Sequence, residues 1–241
     1  MATVIEHYES HLAEYYTWIY GGMDTNLENN RQFFSECALK PQPESAAIDL
    51  GCGSGFQSIP LAELGYRVTA IDLSPILLEE LNKQKGDLPI QTVQDNLLLL
   101  EQHCSKADLV VCMGDTLTHL VSLNQVDGLM GKIYHILSKG GQLILTFRDL
   151  TSELEDLDRF IPVRQDDHTL FTCFLEYEPY RVKVHDLIYV KQGDRWKLKK
   201  SAYYKIKIPL NNLTEILESY GFKIIRSSVE QGIITIIANK S

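Results

Sequence analysis

The sequence has no C-x-x-C pair, no cysteine and histidine cluster at zinc spacing, and no apolar run near the roughly 18 residues that a membrane-crossing helix needs. Its five cysteines (Cys37, Cys52, Cys104, Cys112 and Cys173) are odd in number and widely spaced, which argues for reduced thiols and against a disulfide framework or a metal centre. The opening MATVIEHYES has no basic stretch leading into an apolar one. The expectation is a soluble, cytoplasmic protein with no membrane contact and no metal. Basic residues are also in deficit, 23 against 32 acidic, for a formal charge of −9. That balance disfavours nucleic acid and anionic membranes as partners, because both are bound by Lys and Arg neutralising phosphates. Repeats and low-complexity segments are absent too. What is present is 44% hydrophobic residues over 241 positions, enough for a sizeable core in one domain with an appendage.

Short β-branched runs alternate with helical patterns over 45–150, the signature of an α/β domain with a mainly parallel sheet. Strands are expected over 46–50, 66–73, 89–93, 107–113 and 142–147. Helices are expected over 56–64, 76–84, 97–104 and 126–137, the last one stopping at Gly140-Gly141. Ser74-Pro75 reads as an N-cap followed by proline at the first helical position. From about His168 the apolar period becomes two, with Phe171, Cys173, Leu175 and Tyr177 on one face, so antiparallel strands are expected to Ile208. A helix after Pro209 and strands over 222–227 and 233–239 close the chain.

The segment Asp49-Leu50-Gly51-Cys52-Gly53-Ser54-Gly55 lies between a strand and a helix. Glycines at alternate positions let the backbone turn tightly and approach a ligand, and the helix that follows offers unpaired N–H groups. This is a cradle for a nucleotide or cofactor. A dinucleotide fingerprint needs a small residue where Phe56 stands, and a P-loop needs Lys and Ser or Thr after the glycines; neither is met. Asp72, followed by Leu73, ends the second strand, where a carboxylate can accept from both hydroxyls of a ribose. Asp95-Asn96 follows the third strand, where a carboxylate can accept from an exocyclic adenine N–H and a backbone amide can donate to the ring, or where the pair simply caps the next helix.

Together with Ala47-Ile48 before the loop, the strand end Ala70-Ile71-Asp72-Leu73-Ser74, Gln94-Asp95-Asn96 and Ala107-Asp108-Leu109-Val110-Val111, these residues resemble the ordered motifs of class I S-adenosylmethionine-dependent methyltransferases, and the antiparallel insert from about His168 to Ile208 resembles the cap of members acting on small molecules. The resemblance implies a doubly wound, Rossmann-like α/β fold whose seven-stranded sheet ends in an antiparallel strand. It divides the chain into an N-terminal helical lid (1–44), a cofactor-binding core (45–167), an antiparallel β cap (168–208) and a closing helix and strands (209–241). It also implies that S-adenosylmethionine is the cofactor, with Asp49, Gly51, Gly53 and Gly55 around its methionine part, Asp72 and Leu73 at the ribose, Asp95 and Asn96 at the adenine, and Met113 bordering the transferred methyl.

Methyl transfer from a sulfonium is an in-line displacement that needs alignment and exclusion of water, with a base only for a protonated nucleophile. The Asn/Asp-Pro-Pro-aromatic motif of members that methylate DNA and protein amides is missing; Met113-Gly114-Asp115-Thr116 stands there. Asp115, Thr118 and His119 would face the acceptor, His119 as a base titrating near neutrality, or would cap and pack the next helix. Arg148, beyond the fifth strand, would hold a carboxylate or form a surface ion pair. Tyr8, Tyr15 and Trp18 lie in an aromatic-rich helical segment and would shield the sulfonium by cation–π contact, or pack on the core.

The expected reaction is methylation of N or O on a small molecule. The alternatives are a tRNA or protein methyltransferase and a cofactor-binding scaffold without turnover. The cap would wall the acceptor pocket or form a homodimer. Its segment 181–207 carries nine basic and two acidic residues, which would pair with the acidic body, face a partner subunit or attract an anionic acceptor.

Overall fold

The computed structural model describes residue 7 and residues 12–241. The strands are β1 (Ala46–Leu50), β2 (Arg67–Asp72), β3 (Ile90–Gln94), β4 (Ala107–Cys112), β5 (Leu137–Arg148), β6 (Phe160–Gln165), β7 (Thr169–Tyr177), β8 (Arg181–Gln192), β9 (Arg195–Ile206), β10 (Phe222–Glu230) and β11 (Ile233–Lys240). The helices are α1 (Tyr16–Ile19), α2 (Met23–Glu36), α3 (Ser58–Glu63), α4 (Pro75–Gln84), α5 (Leu123–Ile136) and α6 (Leu210–Tyr220). A seven-stranded sheet runs β10-β11-β5-β4-β1-β2-β3, and β11 is antiparallel to both of its neighbours. The expected architecture is therefore present, reversed last strand included.

Alternation along the central strands feeds two hydrophobic layers. Leu109 and Val111 of β4 face α2, α3 and α4, while Val110 and Cys112 face α5 and α6. On α5 the buried Val126, Leu129, Met130, Ile133 and Ile136 form one stripe, each such side chain contributing about 1.5–3 kcal/mol by leaving water. The Ser122 hydroxyl caps this helix by accepting from the Gln125 N–H at 3.3 Å. Ser74 caps α4 in the same way, from Leu77, with Pro75 at the first helical position.

The chain turns back after β3 and places β4 on the other side of β1, which creates a crevice beyond the carboxyl ends of β1 and β4. Over the same end lies a four-stranded antiparallel sheet, β6-β7-β8-β9. Its Leu175, Val182, Val184 and Tyr203 pack on Leu150, and its Phe171 and Ile188 pack on Leu12.

Two boundaries differ from expectation. Helix α5 stops at Ile136, and Leu137 is already extended, because β5 carries Gly140 and Gly141 inside it, where its register against β4 shifts. The cap sheet begins at Phe160, ahead of His168. Its first strand is an exposed edge containing Pro162, so no buried alternation marks it.

Candidate active site

Gly51, Gly53, Asp72, Leu73, Asp95, Asn96 and His119 line one groove of about 300 Å³ at the carboxyl ends of β1 to β4. The loop after β1 is pinned to β2: the Gly51 and Cys52 amides donate to the Ile71 carbonyl at 2.8 and 3.1 Å. Asp72 accepts from the Gly53 N–H through one oxygen and from the Ser74 N–H through the other, both at 2.8 Å. Each oxygen keeps a further lone pair for a ligand hydroxyl. Burial raises the Asp72 carboxyl above its ordinary range, against those backbone donors. Asp95 accepts from the Asn96 N–H at 2.7 Å and meets His103 Nε2 at 2.6 Å, a contact that lowers its pKa.

The loop glycines do different work. A Cβ on Gly51 would lie 2.2 Å from Thr116 Cγ2, and one on Gly53 would lie 3.1 Å from the Tyr16 hydroxyl. A Cβ on Gly55 would meet Leu81 Cδ1 at 2.2 Å, so this glycine lets the loop sit on α4 and does not line the groove. The first two keep the groove floor bare, and this cradle fits a cofactor brought close to main chain.

Several expected cofactor residues stand elsewhere. Asp49 lies beneath the loop, 1% exposed, and accepts from the Ser58 hydroxyl at 2.6 Å. Met113 packs with the α2–α4 layer and is not part of the groove wall. Tyr15 and Trp18 point to the cap: Lys199 Nζ donates to the Tyr15 hydroxyl at 3.0 Å, and Trp18 packs beside Phe171 and Ile188. The aromatic that reaches the loop is Tyr16, stacked on Phe56 with ring centroids 5.6 Å apart. Tyr8 lies outside the described residues.

Burial pushes the Asp49 carboxyl up to about 7. In the unfolded chain it titrates near 3.9, so the native state holds the extra proton between those values, and stability falls as pH rises from about 4 to about 7. The span corresponds to on the order of 4 kcal/mol. Asp49→Asn is expected to flatten this decline in urea unfolding at pH 4.5 and 7.5; an unaltered pH slope would contradict the assignment.

A second cavity, of about 380 Å³, lies between the cap and the core, lined by Asp115, Arg148, Asp186 and Lys205 among apolar side chains that include Phe171 and Val184. Tyr16 belongs to both cavities. Asp115 Oδ2 accepts from Lys205 Nζ at 2.6 Å and lies 3.5 Å from Arg148 Nε, and its Oδ1 accepts from the Arg148 N–H at 3.1 Å. Burial alone would raise the Asp115 carboxyl; Lys205 and then Arg148 outweigh it and hold the group well below the usual range. Asp186 is 2% exposed, accepts from the Cys173 thiol at 2.9 Å and meets His7 Nε2 at 2.9 Å. Lys205 and Asp186 are additions to the expected site residues: Asp186 interrupts the inward face of Val182, Val184 and Ile188, a readable signal, whereas Lys205 alternates with Tyr204, Ile206 and Ile208 and so reads as part of the wet face.

His119 borders the glycine-lined groove, and burial lowers its pKa to about 3. It is neutral at physiological pH and does not titrate near neutrality as expected of a base. Of the basic cap residues, Lys199 pairs with Glu14, Lys205 with Asp115 and Lys207 with Glu153, so part of that charge answers the acidic body.

Among the described residues no helix is long and apolar enough to cross a membrane, and no His, Cys, Asp and Glu cluster could hold a metal ion. Residues 47–141 match a family model described as a methyltransferase domain. A Bacillus subtilis chain with the provisional name methyltransferase YqeM is 26% identical over 78% of each chain. The glycine/sarcosine N-methyltransferase of Aphanothece halophytica is 30% identical over 52% of this chain and 48% of its own. A crystal structure of an S-adenosylmethionine-dependent methyltransferase from Clostridium acetobutylicum shares the fold with a TM-score of 0.76 and 16% identity, over 96% of this chain and 97% of that one. With the glycine cradle, the acid at the end of β2 and the reversed last strand in place, residues 47–141 form a methyltransferase domain, in a chain that has the fold of S-adenosylmethionine-dependent methyltransferases.

Proposed function

We propose that the chain methylates N or O of a small molecule held in the cavity beneath the cap. The observation that carries this reading is the position of that cavity: it shares Tyr16 with the cofactor groove, and about 380 Å³ suits a compact ligand. The N-methyltransferase from Aphanothece supports the same class of acceptor through its partial similarity. When bound, S-adenosylmethionine supplies an electrophilic methyl group to the acceptor's lone pair.

In this reading Gly51 and Gly53 receive the methionine part of the cofactor, Asp72 and Leu73 the ribose, and Asp95 and Asn96 the adenine edge. Tyr16 stands where the two cavities meet and excludes water from the line of transfer. Asp115 and Arg148, with Lys205, orient the acceptor. Asp186 is the second carboxylate of the same cavity, with His7 on one oxygen and the Cys173 thiol on the other. The cap, as residues 160–206, supplies the outer wall.

The direct test is incubation of the full chain with S-adenosylmethionine and a metabolite extract, followed by mass spectrometry for compounds that gain one methyl. Transfer to small molecules supports the reading; transfer only to tRNA or protein in parallel reactions overturns it. Asp72→Ala is expected to weaken cofactor binding by about 1–3 kcal/mol through loss of charged hydrogen bonds, read by calorimetric titration. Unchanged affinity would remove Asp72 from the site.

A further inference from the structure

The cavity beneath the cap carries more donors than the protein itself satisfies. Both oxygens of Asp115 are engaged, one by the Arg148 main chain and the other by Lys205 and the Arg148 side chain together. One carboxylate thus serves two cations. Lys205 is 8% exposed, and Asp115 is the sole hydrogen-bond acceptor its ammonium meets among the described residues. Its remaining N–H bonds lie in a cavity wall that is otherwise largely apolar. The terminal nitrogens of Arg148 likewise meet no acceptor among the described residues, and that side chain is half-exposed toward the same cavity. Asp186 brings a second carboxylate to the cavity, but its two oxygens are engaged by His7 and the Cys173 thiol, so it takes none of these donors. A buried donor without an acceptor costs free energy.

We infer that the methyl acceptor carries a carboxylate, seated between the Lys205 ammonium and the Arg148 guanidinium. This rests on the proposed small-molecule methyl transfer and specifies the acceptor's chemistry. A planar carboxylate matches the fork of a guanidinium and accepts from an ammonium at the same time. Its oxygens accept from the Lys205 and Arg148 donors that Asp115 leaves over. Phe171, Val184 and Leu175 provide an apolar wall for the rest of the molecule.

The test is titration of the full chain, saturated with S-adenosylhomocysteine, with phenylacetate, phenylacetamide and phenyl phosphate, read by calorimetry. Phenylacetate is expected to bind at least about tenfold more tightly than its neutral amide, a difference of about 1.4 kcal/mol. Arg148→Gln and Lys205→Met are each expected to erase that preference, and Lys205→Arg to retain most of it. Arg148→Gln alters a half-exposed side chain and so reports even where Lys205→Met fails to fold. Equal binding of acid and amide, no binding of the acid, preference for the phosphate, or an acid preference that persists in Arg148→Gln would each overturn the inference. A metabolite extract in which only compounds without an acidic oxygen gain a methyl would also overturn it, while leaving small-molecule methyl transfer standing. Phenylacetate binding as expected with methyl transfer only to tRNA or protein would overturn small-molecule transfer, and the inference about its acceptor with it, while leaving a carboxylate site at Lys205 and Arg148.

Discussion

Replacing Asp115 by alanine is expected to cost about 3–5 kcal/mol of folding stability at neutral pH, the usual consequence of breaking a buried ion pair from one side. Asp115 and Lys205 side chains are 12% and 10% exposed, and their 2.6 Å contact joins the loop after β4 to the inner face of β9. Without the carboxylate, Lys205 keeps its charge in a site with little water, and Arg148 loses its partner. The deficit should depend on pH. The folded-state pKa of Asp115 lies below the unfolded value of about 3.9, so its contribution is complete above that value and is lost as pH falls through the folded one. Chemical denaturation at pH 7 and pH 3 reads both features. Asp115→Leu combined with Lys205→Met should be milder than Asp115→Ala, since it leaves no lone ammonium beneath the cap. A loss under about 1 kcal/mol at pH 7, or a deficit that grows in acid, would show the pair to be unimportant for holding cap to core.

Gly51→Ala is expected to weaken S-adenosylmethionine binding at least about tenfold, or about 1.4 kcal/mol. Two effects act in the same direction. Gly51 has φ +72°, a left-handed conformation that costs an L-residue roughly 1–2 kcal/mol. The new methyl would also sit 2.2 Å from Thr116 Cγ2 and 2.4 Å from its hydroxyl. Thr116 is held by hydrogen bonds to the carbonyls of Met113 and Gly51, at 3.2 and 3.4 Å, so it yields only by breaking them. Both residues line the groove, and any relief of the clash moves its wall. Thr116→Ala in the Gly51→Ala background should recover part of the loss, because it removes the two nearest atoms and leaves the backbone strain. Titration of the two single variants and the pair measures that coupling, expected at about 0.5–3 kcal/mol for residues in contact. Additive effects would mean that the clash is absorbed elsewhere.

Two segments show where sequence reasoning succeeds and fails. The loop after β1 and the acids after β2 and β3 were legible because each is a local strand-to-loop transition, with glycines and a carboxylate at offsets set by short-range backbone geometry. The amino-terminal aromatics were not. On a helix one residue of phase is about 100° of rotation, and this segment passes from a 3-10 turn into α1 and then breaks at Gly21 and Gly22, both with positive φ. Tyr16 therefore faces the cradle while Tyr15 and Trp18 face the cap. The edge strand β6 was hidden for another reason: it buries too little to alternate.

The sequence by itself determined the parallel core, the cradle at its first turn, the acid at Asp72 that closes β2 and the antiparallel cap, since each depends on periodicity or on residues a few positions apart. Tertiary structure decided the contents of the second cavity. Lys205 meets Asp115 across 90 positions, and His7 meets Asp186 across 179. Period-two alternation makes Asp186 look like an interruption of the inward face of β8 and Lys205 like a residue of the wet face of β9. Only the closing of the cap over the core, driven by burial of Leu175, Val182, Val184 and Tyr203 against Leu150, turns those residues into a charged site beside the glycine-lined groove.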